Sequence, residues 1–139
     1  MRIFDSEVEH QWNEKVNFVD NNNVLVGYDM GQDCCEHASW FLSPTDHNSM
    51  PERELLENKD FPSLEDYSFD PTFYHERDLN DANKDSDWPE LEDGGAVAFR
   101  LTNTDGEEAF LYLFNSHNGY YGHGFEFKIN EEMVRDGCL

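Results

Sequence analysis

AVAFRLTNTDGEEAFLYLFN, residues 96–115, is the stretch whose reading decides the fold. Val97, Phe99 and Leu101 alternate with Ala98, Arg100 and Thr102, the two-residue period of a β-strand. Asn103-Thr104-Asp105-Gly106 follows, a turn composition in which Asn and Gly tolerate left-handed backbone. The return strand, Glu107 to Asn115, reads differently. Phe110-Leu111-Tyr112-Leu113-Phe114 is apolar at every position, as in a strand covered on both faces, and that places it centrally in a sheet.

Working outward, Phe125, Phe127 and Ile129 alternate with Glu126 and Lys128 and predict another strand. Asn130 reads as the cap of a short helix, Glu131 to Arg135, stopped by Gly137. Upstream, Val16-Asn17-Phe18-Val19, the turn Asp20-Asn21-Asn22-Asn23 and Val24 to Tyr28 predict a second hairpin. Ser39 to Leu42 is a further strand, closed by Pro44. Ser49 and Pro51 open a short helix through Glu57. Together these elements predict an α+β, mainly antiparallel β fold: a single sheet or small open barrel with two or three short helices.

The 139 residues fit one domain, with an insertion at 45–93 between two β blocks. That insertion carries sixteen acids against four bases. Its rings (Phe61, Tyr67, Phe69, Phe73, Tyr74 and Trp88) are too many for a purely solvated linker. They predict a segment pinned to the sheet, and they are also candidate anchors for a protein partner.

The formal charge is -22, from Asp+Glu 31 against Lys+Arg 9. Direct nucleic-acid binding needs a basic surface, and an anionic membrane repels acids, so both are set aside. A basic protein surface is the partner that charge favours. No secretory pattern or bilayer-length apolar run is visible, and three cysteines, two adjacent, do not suggest a disulfide framework. A cytoplasmic location is the expectation.

Two segments stand apart in composition: Asp33-Cys34-Cys35-Glu36-His37, and His117 to Phe125 with its Asn118-Gly119-Tyr120-Tyr121-Gly122-His123 core. Symmetric pairing of the strands about Asn118 to Gly122 would set His117 opposite His123, close enough to share an ion. In extended chain, Asp33, Cys35 and His37 share one face. Were the blocks adjacent, Asp33, Cys35, His37, His117 and His123 would form a zinc-type metal site. The competing reading is structural, with buried cysteines and permissive turn glycines.

Redox sensing by Cys34-Cys35 is a further alternative. Catalysis is disfavoured: no cation neighbours either cysteine in sequence, and the glycines at 119–124 lead into a strand rather than a phosphate-binding helix. Asp78 to Asp85 lacks the central Gly of a calcium loop. The leading expectation is a non-catalytic protein-binding module without a cofactor, in a sharper version a nucleic-acid mimic. The alternative is a zinc-type protein or enzyme.

GYDMGQDCCE (27–36) and NSHNGYYGHGFEF (115–127) together resemble a group of small uncharacterised proteins of bacteria and their phages. These pair a Cys-Cys-Glu element with a later Asn-Gly-Tyr-Tyr-Gly-His element. The resemblance implies that both segments belong to one fold. It carries no activity or cofactor with it.

Overall fold

The computed structural model describes residues 1–7, 14–31, 36–46, 63–78, 93–117 and 122–139. These residues form nine strands: β1 (Arg2–Glu7), β2 (Glu14–Val19), β3 (Val24–Asp29), β4 (Glu36–Ser43), β5 (Ser68–Asp78), β6 (Asp93–Thr102), β7 (Glu108–His117), β8 (Gly124–Ile129) and β9 (Glu132–Cys138). All pair antiparallel, in a five-stranded sheet A of order β1-β2-β3-β8-β9 and a four-stranded sheet B of order β4-β7-β6-β5.

The expected α+β class is therefore corrected. The described residues are all-β, in two sheets rather than one, with no helix and no closed barrel. The helix expected at Glu131 to Arg135 is β9, paired back onto β8. Asn130 and Glu131 take φ of 51° and 68°, both left-handed, and link the two strands as a two-residue hairpin turn. Asn is favoured both as a helix cap and in left-handed turns, and here the turn prevails. The helix expected at Ser49 to Glu57 lies outside the described residues. No described helix is long and apolar enough to cross a membrane.

Both hairpins expected from turn chemistry are present, β2–β3 and β6–β7. Their loops share one geometry. Asn103 Oδ1 accepts from the amides of Asp105 (3.0 Å) and Glu107 (2.8 Å), with Gly106 at φ 80°. Asp20 Oδ1 accepts from Asn22 and Val24 (both 2.9 Å), with Asn23 at φ 62°. Each loop places an Asx side chain first and a left-handed residue fourth.

The sheets pack face to face. Val16, Phe18, Val26 and Phe127 of sheet A meet Val97, Phe99, Leu101, Leu111 and Leu113 of sheet B in one core. Rings cross the interface edge to face, as with Phe18 and Trp40 at 5.0 Å and 82°. Burying each such side chain contributes roughly 1.5–3 kcal/mol before entropy.

β7 is central, between β4 and β6, as its apolar run predicts. Ala109, Leu111 and Leu113 face the inter-sheet core. Phe110, Tyr112 and Phe114 join Phe41, Ala96 and Ala98 in a second buried cluster on the other face. Within the 45–93 stretch, β5 forms an edge strand of sheet B whose register shifts between Phe69 and Tyr74, around Pro71.

Candidate functional site

Among the described residues the chain changes sheet twice, between β3 and β4 and between β7 and β8. The two compositionally unusual segments fall at those crossings. Glu36 is the first residue of β4, and His123 immediately precedes β8. The register of β4 on β7 sets Glu36 opposite His117, so the segments are neighbours in space.

Glu36 and His123 meet inside the protein. His123 Nε2 lies 2.9 Å from Glu36 Oε2, with the side chains 5% and 1% exposed. The other ring nitrogen, Nδ1, lies 3.0 Å from the Asp29 carbonyl. A carbonyl only accepts, so Nδ1 carries a proton and donates it. The contact is an ion-pair distance between two buried groups, a pairing that burial favours over leaving either group alone.

Neighbouring bonds also join the sheets at this end. The Tyr28 hydroxyl of β3 donates to the Phe114 carbonyl of β7 at 2.7 Å. Asn115 Nδ2 donates to the Leu139 carbonyl at 3.0 Å, and Leu139 and His123 exchange backbone bonds of 2.8 and 2.9 Å. Burial, and then the negative charges of Asp29, Cys138 and Glu36, push the Tyr28 phenol far above its ordinary range. The result is a polar clasp across the sandwich, closed to solvent.

The five metal candidates are placed as follows. Asp33 and Cys35 lie outside the described residues, as does Cys34. His117 ends β7, but its side chain is not among those described. His37 is exposed and its ring lies 5.5 Å from that of Phe114. His123 is buried with both ring nitrogens engaged. Strands β7 and β8 belong to different sheets, so the expected hairpin that would set His117 against His123 does not form. Among the described residues, no group of three or more His, Cys, Asp or Glu is arranged to hold a metal ion.

Of the six aromatic partner anchors, Phe61 and Trp88 lie outside the described residues. Tyr67 and Phe69 are core rings. Phe73 packs at the margin of the second cluster, under the guanidinium of Arg100. Tyr74 is half-buried and carries the guanidinium of Arg135 at 4.0 Å from its ring centre.

Sequence reasoning missed a second surface, the outer face and free edge of sheet A. Gly27 sits between Lys15 and Glu126, and a Cβ there would come within 2.5 Å of Lys15 Cε. Lys15 and Lys128 both pair with Glu126. A shallow groove runs from Lys15 and Glu126 past Asp29 to Met133 and Asp136 on β9. The signal was present: beyond Asn130, Met133 and Val134 interrupt a charged run. Read as a helix, that run hid an exposed edge. No protein-family model, curated protein or solved structure matches this chain.

Proposed function

We propose that this chain is a non-catalytic protein-binding module that takes a basic protein surface. One observation carries the reading. Among the described residues, the large apolar side chains left exposed lie on the two edge strands of sheet A: Ile3 (40%) and Phe4 (44%) on β1, Met133 and Val134 (both 51%) on β9. They are set in a chain of net charge -22. Apolar anchors within a field of one sign suit a partner of opposite sign, with charge steering the encounter and the anchors holding it. Glu36 and His123, from the two unusual segments, are meanwhile engaged with each other inside the clasp.

Nucleic-acid mimicry is the sharper form, with carboxylates standing where phosphates would lie in a partner's basic groove. Immobilised protein should capture nucleic-acid-binding proteins at low salt and release them steeply as salt rises. Capture indifferent to salt would remove the charge-based reading.

A second reading, a zinc-type site drawing on Asp33, Cys35, His37, His117 and His123, is favoured by the register that makes the two segments neighbours. Metal analysis of tag-free protein tests it. Stoichiometric zinc would support it, and substoichiometric zinc, iron, nickel and copper would remove it.

A further inference from the structure

We propose that β9 is a docking edge onto which an extended basic segment of a partner protein adds as a further strand of sheet A. This deepens the binding-module reading and rests on it. Among the described residues, the last strand of sheet A pairs on one side only, with β8. All of its residues, Glu132–Cys138, are exposed. Its free main-chain groups can be located. Leu139 and His123 form a doubly bonded pair, N to O in both directions. Bonded and non-bonded pairs alternate along an antiparallel ladder, so Asp136 and Cys138 turn their N–H and C=O groups away from β8. A row of outward donors and acceptors is what an added strand needs.

The side chains specify what kind of strand fits. Phe125 and Phe127 point into the core, so their partners Gly137 and Arg135 face inward, and Arg135 lies over Tyr74. Asp136 and Met133, opposite Glu126 and Lys128, face outward along the groove. An incoming strand therefore meets an acid at Asp136 and an apolar side chain at Met133. Glu131 and Glu132 extend the acidic run at the turn.

A second copy of this chain is a poor occupant. Two molecules of charge -22 repel each other, and self-pairing centred on Val134 would set Glu132 against Asp136. A segment alternating basic and apolar residues has neither problem, and its main-chain bonds make the fit largely independent of its exact sequence.

The test uses the full chain and a labelled, capped ten-residue peptide of alternating Lys and Val, read by fluorescence anisotropy. N-methylating the peptide's alternate amides along the docking edge removes its donors and should weaken binding about tenfold or more, as expected for two lost main-chain bonds. Asp136→Pro removes an outward N–H, a position where an edge strand accepts Pro, so the fold is kept and checked by circular dichroism. It should weaken the peptide comparably, and Asp136→Lys should weaken it in low salt.

Equal binding of parent and N-methylated peptides, or no effect of Asp136→Pro, overturns the edge. If salt-sensitive capture of basic proteins persists in that case, the module reading survives without β9. If both the peptide and basic proteins fail to bind wild type, both readings fall.

Discussion

The two ends of the sandwich each hold a buried carboxylate that ties one sheet to the other, and they do so by different chemistry. At one end Asp20 accepts from three backbone amides: Asn22 and Val24 through Oδ1, and Phe69 of the opposite sheet through Oδ2 at 2.9 Å. At the other, Glu36 faces His123. Backbone donors cannot titrate and are placed by the fold itself. A histidine is a separate side chain that must itself be held in place. One tie thus depends on the hairpin and strand around it, and the other on two side chains that arrive from the two sheet crossings.

The largest effect should come from breaking the side-chain tie. His123→Ala removes the partner of a carboxylate that is 1% exposed and should cost about 3–5 kcal/mol in chemical denaturation. Replacing both groups, as Glu36→Leu with His123→Leu, should recover much of that loss, because the penalty lies in stranding one buried polar group without the other. A single-variant cost below about 1 kcal/mol would mean that the pair is not desolvated in solution.

Asp20→Ala breaks the other tie and should cost somewhat less, about 2–4 kcal/mol, since the amides of Val24 and Phe69 lose their acceptor. Asp20→Asn keeps one acceptor oxygen and should fall between. Were Asn to match Ala, the tie would need both oxygens as acceptors, not one.

How much of this was legible depends on distance along the chain. Both hairpins were readable because strand, turn and strand lie within about 20 residues and the Asx and Gly positions announce the turn. The centrality of β7 followed from Phe110 to Phe114 alone. Sheet membership did not, because β3 pairs with β8 about 100 residues away, and no local pattern encodes that choice. Edge strands were the other loss. β1 offers only Ile3 and Phe4, Pro71 interrupts β5, and the turn before β9 opens on an Asn that suits a helix cap equally well. The two segments meet at Glu36 and His123, while the symmetric hairpin expected to set His117 opposite His123 does not form. A general glutamate among so many acids gave no hint of its partner.

Tyr28 sharpens the comparison from the histidine end. Tyr28→Phe leaves the Phe114 carbonyl without its 2.7 Å donor and should cost about 1–2 kcal/mol. Its phenol is raised in the folded state, so its contribution is fully present below about pH 10 and is lost as pH rises beyond. Alkaline unfolding should therefore be less steep in Tyr28→Phe than in wild type. Parallel curves would place the alkaline limb elsewhere, with Tyr74, which is pushed up to about 12 by burial and its bond to Glu76, the next candidate.

At the Asp20 end, Asp70 is a more accessible carboxylate, held down to about 2 by hydrogen bonds from Thr72 and Arg100. A depressed folded pKa adds stability above about pH 4 that is lost as pH falls toward 2. With its side chain 20% exposed, solvent screening keeps the effect to about 1 kcal/mol. Asp70→Asn should flatten the acid limb of the stability curve by that amount, and an unchanged limb would show that the Arg100 pair is screened out.

The smallest effect isolates what crossing between sheets adds. Asn103 heads a loop with the same geometry as that of Asp20, accepting from the second and fourth residues after it. Its side chain reaches no strand of the other sheet, and its amide instead donates to Glu107 at 2.7 Å on the exposed turn. Solvent can replace those bonds, so Asn103→Ala should cost about 0.5–1 kcal/mol. The gap between Asp20→Ala and Asn103→Ala in the same denaturation assay then measures the bond to Phe69 together with the burial of the carboxylate. If the two variants lose equal stability, Asp20 acts only within its own hairpin, and the bonds at the Glu36 end, Tyr28 to Phe114 among them, are left to tie one sheet to the other.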